Sequence, residues 1–119
     1  MRVGGVVRLY GCNVLWRATG SRSAGRKLLE FFDSGDEDLR SLAGMLLVRA
    51  GKKAEPLLDD ALEKREHLPY VLTILGDIGD LKYEPKLRQF ADDPDRCVAT
   101  AARDALRVLE TQSNRQQGN

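Results

Sequence analysis

Apolar residues recur along this chain at the spacing of a helix that buries one face. In residues 39–51, Leu39, Ala43, Leu46, Leu47 and Ala50 fall on one stripe, and Gly51 follows as a stop. Residues 67–79 repeat the pattern with Val71, Ile74, Leu75 and Ile78 before Gly79. Residues 98–110 repeat it with Ala102, Ala105, Leu106 and Leu109, but without a closing glycine. The starts of these three copies lie 28 and then 31 residues apart. A fourth copy opens the chain: Val7 begins it, Gly11, Val14, Leu15 and Ala18 take the stripe, and Gly20 falls one place late. Each later copy follows a shorter apolar segment, around residues 28–32, 56–62 and 85–90, and Pro56 and Pro85 suit the first turn of a helix. The joints Asp33-Ser34-Gly35-Asp36 and Asp92-Asp93-Pro94-Asp95 are rich in residues that cap the next helix. The pattern predicts seven helices of roughly 9 to 16 residues and no strand.

Val7-Arg8, Leu39-Arg40 with Ala43 and Leu47, Leu75-Gly76-Asp77-Ile78-Gly79, and Asp93-Pro94-Asp95 ahead of Val98 resemble the HEAT-like repeat family, including the repeats of bilin-lyase type, over about residues 6–110. The resemblance implies an all-α fold: a short right-handed α-solenoid of stacked antiparallel helix pairs. It sets out one domain over residues 1–110, with a partial first repeat at 3–20 and repeats near 21–51, 54–79 and 83–110. A disordered tail is expected over 111–119, which holds no apolar residue. The arginine that follows the opening residue gives way to Leu68 and Ala99 in the third and fourth copies, so a polar ladder built on it should stop halfway.

Charge divides the chain. Residues 1–29 hold six basic residues and no acid, whereas residues 30–119 carry 13 basic against 18 acidic residues. An acid-free, arginine-rich start has the composition of a transit peptide, but the repeat runs through it and argues for folded structure. Arginines interrupt every apolar stretch before it reaches the length that spans a bilayer, so a protein off the membrane is expected, and a reducing cytoplasm suits its two cysteines. Cys12 and Cys97 lie far apart, with no second thiol at metal or redox spacing.

Little in the sequence points to catalysis. His67 is the single histidine, which removes most metal and triad schemes; a Cys97–His67 dyad at two helix starts is outweighed by ordinary packing there. The HEAT-like hydroxylases use repeated His-Glu pairs, and this chain has only Glu66-His67, reversed and single. Asp59, Asp60, Asp92, Asp93 and Asp95 lack the order of a calcium loop, and Gly76-Asp77-Ile78-Gly79 closes a helix rather than cradling phosphate. No enzyme activity, cofactor or metal is expected.

The expected function is protein binding on the inner face of the stack. The third, seventh and tenth places of each thirteen-residue unit point away from the stripe; they place Leu9, Trp16, Met45 and Val48 on that face, with Arg17 and Arg49 beside them. The alternative is that a missing or domain-swapped first helix covers Trp16, or that curvature tucks these side chains into the stack. A nucleic-acid surface built on the N-terminal arginines is weaker, because Asp77 and Asp104 interrupt it. An accessory role beside a bilin lyase is a third reading. Finally, Val3, Val6, Val7, Tyr10, Val14 and Ala18 form a stripe wider than one layer buries. That predicts a homodimer through the N-terminal layers, or a preceding helix if the chain belongs to a longer one.

Overall fold

The computed structural model describes residues 3–117. Among them the chain is all helix: α1 (Val3–Thr19), α2 (Arg22–Glu30), α3 (Glu37–Ala50), α4 (Glu55–Lys64), α5 (Leu68–Ile78), α6 (Glu84–Phe90) and α7 (Arg96–Gln117), with short 3-10 turns at Phe31–Asp33, Gly51–Ala54 and Leu81–Tyr83. No described helix is long and apolar enough to cross a membrane. Backbone packing groups the chain into two compact units, one ending at Asp60 and the other beginning at Ala61, so the division falls inside α4.

In the first unit α1 packs on α2 and α3. Ser21 caps α2 by accepting from the Ala24 amide at 3.3 Å, and α2 buries Ala24, Gly25, Leu28 and Leu29. The polar turn that follows builds the next cap: Ser34 Oγ accepts from the Asp36 amide at 3.0 Å, and Asp36 Oδ1 accepts from the Asp38 amide at 2.9 Å. α3 then buries Leu39, Ala43, Leu46 and Leu47 of the stripe its spacing predicts and leaves Ala50 half-buried. Gly51 ends it at a φ of 56°, a conformation that costs glycine little. The Lys53 ammonium donates to the Arg17 carbonyl and so satisfies a last-turn acceptor of α1.

Gly44 sits inside α3 without a packing reason, since the nearest atom to an added Cβ is Phe32 Cε1 at 4.0 Å. Glycine is the poorer helix former by about 1 kcal/mol. Gly44→Ala is therefore expected to raise stability by roughly 0.5 to 1 kcal/mol, read as a higher urea midpoint at unchanged slope.

In the second unit α5 and α7 form the closest helix contact. Val71 and Leu75 on α5, and Ala102 and Leu109 on α7, are essentially without solvent exposure, and α6 adds Leu87 and Phe90. A Cβ on Gly76 would lie 2.8 Å from the Ala105 backbone, so the helices meet where α5 has no side chain. The α4–α5 loop holds two non-glycine residues in the left-handed region, Arg65 at φ 56° and His67 at φ 53°. Arg65 is anchored from there: its guanidinium donates to both Asp93 carboxylate oxygens, at 3.1 and 2.9 Å. The Asp95 amide, and then Arg65, hold the Asp93 carboxyl below the usual carboxylate range, so this clamp is fully charged near neutral pH.

The C-terminal segment departs from expectation. α7 continues to Gln117, through most of the stretch predicted as a disordered tail, and residues 118–119 lie outside the described ones. Two features explain it. The fourth repeat has no closing glycine to stop the helix, and the Gln112 amide donates to the Asp77 carbonyl at 3.1 Å, tying the extension to the end of α5.

Candidate functional site

α1 is apolar nearly all round its circumference. Its polar side chains are few, so periodicity alone cannot say which face turns inward. The structure buries Leu9, Asn13 and Trp16, which follow one another at the four- and three-residue steps of one helix face. Leu9 is fully buried and Trp16 is 5% exposed, with Gly25 leaving room for its indole: a Cβ there would lie 3.1 Å from Trp16 Cδ1. Bulk decides the register, because a leucine and a tryptophan bury more apolar area than valines and glycines do.

This corrects the expected surface. Leu9 and Trp16 are core residues and present nothing to a partner. Arg17 and Arg49 are exposed, Met45 is exposed on α3, and Val48 is half-buried there. Two of the six residues are therefore interior; of the other four, Arg17 lies at the end of α1 and three belong to α3.

The opposite side of α1 is the unusual one. Val3 is 78% exposed, Val7 65% and Val14 63%, with Tyr10 between them also exposed. Their spacing of four, three and four residues is that of a coiled-coil seam. Gly4, Gly11 and Ala18, seven residues apart, run beside this ridge and are exposed. A Cβ on Gly4 or Gly11 would meet nothing within 4 Å, so nothing inside the chain explains either glycine.

On its other flank α1 borders an open groove of about 1230 Å³, walled by Gly4, Gly5, Gly11, Cys12 and Leu15 and, across from them, by α2 and the turn into α3. Its direction is set by two contacts. Gly5 approaches Leu39 at the start of α3, and the Arg8 guanidinium lies 6.0 Å from the centroid of the Phe31 ring. Glu30, Asp33 and Asp36 thus line the end of the groove beside the α1 N-terminus. Exposed Arg17 and Arg22 flank the turn from α1 into α2 and do not line the groove. Arg8, over the Phe31 ring, and Arg40, whose guanidinium donates to the Ser34 carbonyl, stand among Glu30, Asp33 and Asp36, and Lys27 lines the α2 wall.

Among the described residues no three His, Cys, Asp or Glu side chains cluster as a metal site would require. Cys97 is exposed in the first turn of α7, where its amide donates to Asp95 Oδ1 at 2.9 Å. What the first unit offers is shape and apolar area. The chain matches no protein-family model, no curated protein and no solved structure.

Proposed function

We propose that this chain is a non-enzymatic protein-binding scaffold, a HEAT-like α-solenoid of the cytoplasm, that docks a protein partner on the outer face of α1. The observation that carries it is the exposed Val3-Val7-Tyr10-Val14 ridge, an apolar seam left in water beside a ready-made groove. The repeat reading is supported by the stripes of α3, α5 and α7, which bury most of the positions their common pattern predicts and leave Ala50, Ile78 and Leu106 half-buried. It is supported also by the closing glycines Gly20, Gly51 and Gly79, all of which have positive φ.

The test is a variant carrying Val7→Asp and Val14→Asp, compared with the parent chain in affinity capture from its native cells. Both valines are exposed, so the helical circular dichroism should be unchanged, while recovery of the bound protein should fall at least about tenfold. Full recovery by the folded variant would contradict the proposal. Loss of the partner on nuclease treatment alone would move the reading to nucleic acid.

A further inference from the structure

We infer that the protein segment docked on α1 is amphipathic and ends in a run of acidic residues, received by a cluster of exposed cations at the C-terminal end of α1. The inference rests on the reading of the valine ridge as a docking surface and adds the chemistry of its partner.

The ridge leads into the cluster. Val3, Val7, Tyr10 and Val14 follow heptad steps, and the next residue of that seam is Arg17, exposed like them. An apolar segment lying along the ridge therefore meets a guanidinium where the seam ends. Two contacts show what stands around it. Gly5 approaches Leu39 at the starts of α1 and α3, and the Lys53 ammonium reaches the Arg17 carbonyl at their ends, so the two helices run side by side in one direction. That brings Arg49 in the last turn of α3, with Lys52 and Lys53 just beyond it, to the end of α1, close to where Arg22 opens α2.

Arg17, Arg22, Arg49, Lys52 and Lys53 are all exposed, and among the described residues none of them forms an ion pair. Residues 14–29 and 39–54 hold no acid, and Asp60 of α4 faces Arg26 instead, at 3.7 Å. Helix stability does not account for the group. The dipole favours a cation in a last turn, which covers Arg17 and Arg49, but Arg22 stands in the first turn of α2, where a cation is disfavoured. Gathered cations repel one another, and an acidic segment relieves that repulsion. Nucleic acid fits less well, because the cluster continues a ridge of valines and the tryptophan beside it is buried, leaving no ring on which bases could stack.

Calorimetric titration of the full chain with synthetic peptides tests this. The parent peptide is an amphipathic helix with leucines at heptad spacing; its derivatives carry about six glutamates or about six lysines at one end or the other, and a DNA duplex serves as comparison. The glutamate peptide, in its better order, should bind at least about tenfold tighter than the parent peptide at low salt, and the advantage should shrink as salt rises. Arg17→Glu with Arg49→Glu, both at exposed positions, should transfer the advantage to the lysine peptide at unchanged helical circular dichroism. Glutamates that add nothing, a charge exchange that leaves the preference where it was, or a duplex that binds tighter than the glutamate peptide overturns the acidic partner. Val7→Asp separates this inference from the reading beneath it. The variant should weaken every peptide, and peptides indifferent to it overturn the ridge as a docking surface whatever the cations do.

Discussion

Trp16→Ala is expected to cost roughly 3 to 5 kcal/mol, the usual range for removing a buried aromatic. The chain as a whole has about 5 to 15 kcal/mol to lose, so the variant should be partly or wholly unfolded at 37 °C. The physical reason lies in two residues. Trp16 is 5% exposed, and Gly25 on α2 has no side chain where the indole passes, so alanine would leave a cavity between α1 and α2 that neither can fill. A surface tryptophan would behave differently: its loss would cost about 2 kcal/mol or more of partner affinity and almost nothing in stability. Urea titration followed by circular dichroism separates the two cases. An unchanged midpoint would place the indole outside the core.

The second large effect is expected at Gly76. An added Cβ would lie 2.8 Å from both Cα and the carbonyl oxygen of Ala105, and backbone cannot rotate out of the way as a side chain can. Alanine there gains about 1 kcal/mol in helix propensity and still has to push α5 from α7. We expect Gly76→Ala to be destabilising by roughly 1 to 3 kcal/mol net, and Gly76→Val by more. The contrast with Gly44→Ala is informative, because the same exchange inside two helices should shift the midpoint in opposite directions. A stabilised Gly76→Ala would mean that α5 and α7 are not in backbone contact.

How far the fold could be read from sequence depended on how polar each helix is. α3 and α7 carry enough charge on one side for spacing to name the inward face, and Leu39 and Val98 are buried as read. α1 carries too little. Its repeat places and, apart from Asn13, the alternative places are apolar, and the choice passed to the bulk of Leu9 and Trp16 and to the space at Gly25, which no single-helix pattern contains. The end of α7 was misread for another reason. Polarity from Thr111 onward predicted fraying, yet the missing stop glycine was visible, whereas the bond from Gln112 to Asp77 crosses 35 residues and was not.

The candidate surface was legible in part. Val3, Val7, Tyr10 and Val14 stood out as more apolar area than one neighbour could cover, and the structure leaves them exposed. The groove did not show, because its walls come from α1, α2 and the turn into α3 together. Its mixed charge was hidden for the same reason: the N-terminal residues read as uniformly basic until the fold brings Glu30, Asp33 and Asp36 alongside them.

The docking face exists only if α1 turns Trp16 inward, and Trp16, the single tryptophan of the chain, reports that direction. The decisive measurement is collisional quenching of its fluorescence by iodide, made on dilute Val7→Asp chain so that no second copy shields the indole. The account predicts a blue-shifted emission protected from iodide until the protein unfolds in urea. Emission quenched in the folded chain as readily as in the unfolded one would contradict it, for Trp16 would then face solvent and the valines the core.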